Sequence, residues 1–221
     1  MPGFLIAEPL ERGGFGWTYL AVRDSPPVQT ETRDQPEHDS ARTGTGEEER
    51  VVIKVARADR PQAADRLRRE IAMLQTMGAP WVPAVFAHGA LADGSPYLVM
   101  EYITAPTLAD RLAASVEPFS LTEFGVLADA IATTLTAIHR QSLIHRDLKP
   151  EHVFLDRDWP QAKLIDFGLA KATEPRAELS LTAPDMVVGT AEYMAPEQCE
   201  AGGTVDARSD IYSFGVMLYE M

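Results

Sequence analysis

Lys54 stands inside the β-branched run Val51-Val52-Ile53-Lys54-Val55. A lysine in such a strand either snorkels to the surface or meets a charge, and taken alone the surface is the commoner fate. Glu70 lies on the helical segment that follows, on the side near Leu67, Ile71 and Leu74, so an ion pair between the two is geometrically possible. Upstream, Gly13-Gly14-Phe15-Gly16 forms a glycine cluster. Glycines let a backbone approach phosphate oxygens and present its N–H groups to them. Plain hairpins use glycine as well. The most specific segment is His145-Arg146-Asp147-Leu148-Lys149-Pro150. Six specified residues at roughly 5% usage each make a chance match negligible. Asp166-Phe167-Gly168 and Ala195-Pro196-Glu197 come after it.

These residues need elements to hold them. Apolar runs on either side of the glycine cluster, within residues 4 to 22, read as strand, tight turn, strand. Between Asp24 and Arg50 apolar residues almost vanish, and eight acidic side chains face three basic ones. This segment reads as a disordered, solvated insertion, with a regulatory docking segment as the alternative. The run around Lys54 is a strand. Pro61 then suits a first helical turn, and Leu67, Ile71 and Leu74 continue at helical spacing to about Met77. Val82 to Ala90 and Tyr97 to Ile103 read as two more strands, with a turn at Asp93-Gly94. Ser120 with Glu123 forms a capping box, and Phe124, Leu127, Ile131, Leu135 and Ile138 mark one buried helical stripe. Short strands around Val153-Leu155 and Lys163-Ile165 flank loops. A strand-rich first part and a helix-rich second part indicate an α+β protein with two lobes.

Composition narrows the classes further. The chain has 221 residues, 45% of them apolar, which excludes a wholly disordered polypeptide. A formal net charge of −13 argues against a duplex nucleic-acid binder and against attraction to an anionic membrane surface. Cys199 is the one cysteine, so no intrachain disulfide forms. The N-terminus lacks the basic segment of a signal peptide, and no stretch of about 18 uncharged apolar residues occurs. Lysine is scarce, four against 16 arginines, which makes each lysine worth placing.

With the motifs in order and on suitable elements, the chain resembles a eukaryotic-like serine/threonine protein kinase of the type common in bacteria. The resemblance implies an α+β, two-lobed kinase fold: a small β-rich lobe with one helix over about residues 1–103, interrupted by the acidic insertion 24–50, and a mainly helical lobe over about 104–221. It also implies ATP as cofactor with Mg²⁺, Mn²⁺ being an alternative, and protein Ser/Thr hydroxyls as acceptors. Matched residue by residue, Gly13, Gly14 and Gly16 belong to the phosphate-covering loop, Lys54 holds the α- and β-phosphates, and Glu70 orients it. Met100 resembles the gatekeeper, and the backbone of Glu101 and Ile103 meets the adenine edge. Thr18, Val52 and Phe154 contact adenine. Asp147 resembles the base that accepts the substrate hydroxyl proton, Lys149 its companion lysine, and Thr190 the threonine that contacts both. Asp166 resembles the metal-binding aspartate. Asp210 resembles the buried carboxylate that holds the catalytic loop. Thr182 and Ser180 are the candidate phosphosites, with Arg146 as the basic partner of a phosphate there.

Several positions depart from the family pattern. His152 stands where an asparagine amide serves the second metal position, and imidazole is a poorer partner than oxygen for magnesium. Glu11 replaces the first loop glycine, and Thr18 and Val52 replace smaller or different residues over the adenine. The chain ends in mid-helix at Met221, so the helices that close the second lobe are expected beyond it, leaving Glu197 without its arginine partner. A catalytically impaired scaffold that binds nucleotide or protein is the alternative function. The resemblance further implies self-association for trans-autophosphorylation, no nucleic-acid partner, and no membrane contact from this segment. Its expected location is the cytoplasm, or the cytoplasmic face of a membrane if a transmembrane helix follows.

Overall fold

The computed structural model describes residues 3–12, 16–24, 49–115, 117–155, 161–167, 188–200 and 203–221. The first half is a sheet of five strands: β1 (Phe4–Arg12), β2 (Gly16–Arg23), β3 (Arg50–Ala56), β4 (Val85–Ala90) and β5 (Pro96–Glu101). Every pairing is antiparallel and the spatial order is β1-β2-β3-β5-β4. The β-branched run therefore forms the middle strand, where a continuous apolar sequence is expected. Gly16 opens β2 so close to β3 that a Cβ there would meet the Val55 carbonyl oxygen at 2.9 Å. One helix, α1 (Pro61–Met77), packs on the sheet; proline opens it and Gly78, at φ +67°, closes it.

Two strands are shorter than the sequence suggests. β4 begins at Val85, because Pro83 has no N–H to donate to a ladder. β5 ends at Glu101, because that residue pairs with Val51 near the end of β3 and leaves Tyr102 and Ile103 with no strand beside them. The turn at Asp93-Gly94 forms as expected: Gly94 takes φ +83°, and Asp93 Oδ1 accepts from the Ser95 N–H. The bulk of the acidic insertion, 25–48, lies outside the described residues. Its two ends meet, since Arg23 N–H donates to the Glu49 carbonyl at 2.9 Å and Arg23 also ion-pairs with the Glu49 carboxylate at 2.8 Å.

Past Ile103 the chain turns helical. A short helix not foreseen, α2 (Leu108–Ala114), starts from a capping box between Thr107 and Asp110. The longer α3 (Leu121–Arg140) starts from the expected box between Ser120 and Glu123. Leu127, Ala130, Ile131, Thr134, Leu135 and Ile138 form its buried face. The segment from His145 runs through a 3₁₀ turn at Pro150–His152 into a two-stranded sheet, β6 (Val153–Phe154) with β7 (Lys163–Leu164). A second 3₁₀ turn (Val188–Tyr193), α4 (Pro196–Cys199) and α5 (Ala207–Glu220) follow. Residues from α1, β3, β5, α3, β6, β7 and α5 share one apolar core. Glu197 is not left bare: the Ser209 hydroxyl at the start of α5 donates to its Oε1 at 2.5 Å.

Candidate active site

Side chains alternate along β3. Val51 and Ile53 join Ala21 and Val99 in a small apolar layer, while Val52 and Ala56 belong to the main core with α1. Lys54 shares the second face. Thr18 and Leu98 stand directly across from it on β2 and β5, and Met100 stands across from Val52. Thr18, Val52 and Met100 thus lie on the same face of the sheet as the lysine. Met100 and Val52 are buried, and Glu101, Tyr102 and Ile103 are half-buried.

Two carboxylates hold Lys54. Its Nζ donates to Glu70 Oε1 on α1 at 2.7 Å and ion-pairs with Asp166 Oδ1, 112 positions along the chain. Burial by itself lowers the Lys54 pKa, but Asp166 and Glu70 override it and hold the ammonium above its ordinary value. Burial likewise opposes ionisation of Asp166; Lys54, then His152, outweigh it and keep the carboxyl below the usual range. Asp166 takes φ +55°, a left-handed conformation that short polar residues tolerate.

Asp147 is positioned by its backbone. Arg146, just before it, sits at φ +65°. Asp210 on α5, almost fully buried, holds that conformation: Oδ2 accepts from the His145 N–H and Oδ1 from the Arg146 N–H, both at 2.8 Å. His139 Nε2 also donates to Asp210 Oδ2 at 2.8 Å, and Gln198 Nε2 donates to the Arg146 carbonyl at 2.8 Å. The next turn adds His152, whose Nδ1 lies 2.8 Å from the Asp147 carbonyl oxygen. That oxygen only accepts, so Nδ1 carries the proton. His152 Nε2 faces the other way, 4.0 Å from Asp166 Oδ2. Lys149 is half-buried just ahead of this turn, and Phe154 pairs with Lys163 across the small sheet.

His145 is wholly buried against the Phe167 ring, with centroids 4.4 Å apart. Its Nε2 donates to the Ile165 carbonyl at 2.9 Å and its Nδ1 accepts from the Asp147 N–H at 3.3 Å, which is the pattern of a neutral ring. Burial, then His152, push its pKa down to about 4. An unfolded histidine titrates near 6.5, so the unfolded chain binds the extra proton first. The stabilising contribution is complete above pH about 6.5 and is lost as pH falls towards 4. Between pH 7 and 4.5 the expected loss is about 2–3 kcal/mol. Urea unfolding across that range checks it, and a slope unchanged in His145→Asn would rule it out.

Lys54, Glu70, Asp147, His152 and Asp166 therefore converge, with Thr18, Val52 and Met100 on the adjoining sheet. Gly13, Gly14, Ser180 and Thr182 lie outside the described residues. Thr190 falls in the 3₁₀ turn at Val188–Tyr193. Sequence reasoning missed Lys163, whose ammonium ion-pairs with the Glu101 carboxylate and ties β7 to the end of β5. Its only signal was the scarcity of lysine. His139, which donates to Asp210 Oδ2, carried no signal in the sequence either.

Asp166 suits a divalent cation: it is ionised, offers hard oxygen, and its side chain is 37% exposed. Although these side chains are neighbours, among the described residues no three histidine, cysteine or carboxylate groups are close enough to hold one metal ion together. An ion held by Asp166 would draw its remaining ligands from phosphate and water, as magnesium commonly does beside nucleotides.

The antiparallel sheet with α1, the helical half behind it, and the lysine and carboxylates facing each other between them define the two-lobed α+β fold of protein kinases. Comparison with known proteins agrees. The family model described as "Protein kinase domain" matches residues 41–221. The serine/threonine-protein kinase pkn2 of Myxococcus xanthus is 36% identical over 223 residues, covering 99% of this chain and 24% of the relative. The serine/threonine-protein kinase PknB of Mycolicibacterium smegmatis is 37% identical over 177 residues, covering 77% of this chain and 28% of the relative. A probable serine/threonine-protein kinase of Streptomyces coelicolor is 37% identical over 179 residues, 77% of this chain and 26% of the relative. The chain belongs to the protein kinase domain family, in its bacterial serine/threonine branch. It spans about a quarter of the length of these relatives.

Proposed function

We propose that this chain is the catalytic domain of a serine/threonine protein kinase that moves the γ-phosphoryl group of ATP to Ser and Thr hydroxyls of proteins. The observation that carries this reading is Lys54 held between Glu70 and Asp166, with Asp147 beside them. In phosphoryl transfer the protein supplies positioning and charge more than covalent chemistry. Glu70 aims Lys54 at the α- and β-phosphates. Gly13, Gly14 and Gly16 cover those phosphates, Thr18, Val52, Met100 and Phe154 enclose the adenine, and the backbone of Glu101 and Ile103 binds its edge. Asp147 accepts the hydroxyl proton as that oxygen attacks the γ-phosphorus; the bond to the β–γ bridging oxygen breaks and ADP leaves. Lys149 and Thr190 steady Asp147 and the phosphoryl group. Asp166 holds Mg²⁺ or Mn²⁺, which neutralises phosphate charge.

In this reading phosphorylation of Thr182 or Ser180, met by Arg146, regulates the enzyme, and two copies associate to phosphorylate each other. The site works on the cytoplasmic side of the cell. The test is γ-labelled ATP with a generic protein substrate and either metal. Label should appear on Ser or Thr, and Lys54→Met should cut the rate by about 10²–10³-fold. No labelling of protein or substrate with either metal would overturn the proposal.

A further inference from the structure

We infer that Lys163 is a positioning residue for nucleotide binding: its ion pair with Glu101 ties the connection that takes the adenine to the strand that leads to Asp166, and so sets the span between the two ends of the site. The inference rests on the proposal that ATP lies here with its adenine edge at Glu101 and Ile103 and its phosphates at Lys54 and Asp166.

A ring of bonds closes around this corner of the molecule. Leu164 on β7 donates its N–H to the Trp81 carbonyl at 2.9 Å. A little further along from Trp81, Ala84 is joined to Glu101 in both directions. The Glu101 N–H donates to the Ala84 carbonyl at 2.9 Å, and the Ala84 N–H donates to Glu101 Oε2 at 3.1 Å. Glu101 Oε1 takes the ammonium of Lys163, the residue beside Leu164, and the ring is complete. Side chains alternate along β7: Leu164 enters the apolar core, which leaves Lys163 for the opposite face. Trp81 and Ala84 lie between α1 and β4 in the first half of the chain, whereas β7 pairs with β6 in the second. Each oxygen of the Glu101 carboxylate therefore serves a different lobe.

The pair is sheltered. The Lys163 side chain is 11% exposed and that of Glu101 26%, so solvent and salt screen it less than an ion pair at the surface. Removing one partner strips the other of its counter-charge in a part-buried place, and the corner then favours opening to water. The strand matters because of where it leads. β7 runs on to Asp166, whose Oδ1 pairs with Lys54. A nucleotide that spans the site must meet Glu101 and Ile103 at one end and Lys54 and Asp166 at the other. With the Lys163 pair gone, β7 stays on β6 while the end of β5 is freer to shift against it. A ligand that touches only the adenine end feels little of that shift. One that reaches both ends must fit a span no longer fixed, and misplaced phosphates are costly.

Titration with an Mg²⁺-loaded, non-hydrolysable ATP analogue and with adenosine alone tests this. Adenosine meets only the end of β5, whereas the analogue spans the site. Lys163→Met should weaken the analogue by about fivefold or more while leaving adenosine within about twofold, a coupling of ordinary size for a residue that touches neither ligand. In steady-state kinetics the loss should appear as a raised KM for ATP, with KM for a peptide substrate unchanged. Glu101→Gln removes the charge from the other side and keeps an oxygen for the Ala84 N–H. It should give the same selective loss, and the double variant should lose no more than either single one. Lys163→Arg, which keeps the charge, should recover most of the analogue affinity. The glutamine variant answers the question if the methionine variant does not fold. Equal weakening of both ligands would mean that Lys163 only stabilises the fold, and an unchanged analogue affinity would mean that the pair does not set the span. Either result overturns the inference while nucleotide binding stands. If the wild-type protein binds neither ligand, the underlying ATP reading falls and this inference with it.

Discussion

Asp147→Asn should lower kcat for phosphoryl transfer by about 10²–10⁴-fold while leaving ATP affinity nearly unchanged. The magnitude is that of losing a positioned base from a proton transfer. The separation of kcat from affinity follows from how the residue is held. Its N–H donates to His145 Nδ1 and its carbonyl accepts from His152 Nδ1. Neither bond involves the side chain. Asparagine is nearly the same size, so the loop should keep its course while the group that accepts a proton is removed. Lys54, Glu70 and Asp166 reach each other without Asp147. Steady-state kinetics with a peptide substrate, set beside titration of a fluorescent ADP analogue, separates the two quantities. An unaltered kcat would mean that Asp147 is not the base.

The second large effect is on stability. Asp210→Ala should destabilise the fold by about 3 kcal/mol or more, because three donors lose their acceptor at once: the backbone N–H groups of His145 and Arg146, and His139 Nε2. Each buried donor left bare costs about 1–3 kcal/mol. Against a total stability of about 5–15 kcal/mol that is a substantial share. The damage should also reach the site. Arg146 holds φ +65° with Asp210 on its N–H and Gln198 on its carbonyl. With one hold gone the backbone relaxes towards ordinary dihedrals and Asp147 moves with it. Asp210→Asn, which keeps one acceptor oxygen, should lose less. Urea unfolding of wild type and both variants gives the ranking, and a shift below about 0.5 kcal/mol for the alanine variant would contradict it.

Legibility in the sequence tracked how local the cause was. Pro61 and Gly78 bracket α1, and Ser120 with Glu123 opens α3; each signal lies within a few residues of what it determines. The box at Thr107 and Asp110 is the same device with a shorter acid, on a helix of only seven residues, and it passed unnoticed. The end of β5 was invisible because it depends on where β3 begins, not on Tyr102 or Ile103. The site divides the same way. Lys54 and Glu70 are 16 positions apart, and helical spacing put them within reach. Lys54 and Asp166 are 112 apart, and only the family resemblance joined them. No pattern could join Glu101 to Lys163, 62 positions away, because a part-buried ion pair between two strands of different sheets leaves no period to read. The orientation of His152 was equally closed to sequence, since it turns on one hydrogen bond to a carbonyl that every residue possesses.

The meeting of Arg23 with Glu49 bears on how this sheet tolerates change. With the two ends hydrogen-bonded across β2 and β3, the closure cost of a flexible connection between them would grow only logarithmically with its length. Doubling the segment would cost about 0.6 kcal/mol, less than one buried methylene. By that measure sequence could be gained or lost between Arg23 and Glu49 while Lys54, in the next strand, keeps its register opposite Thr18.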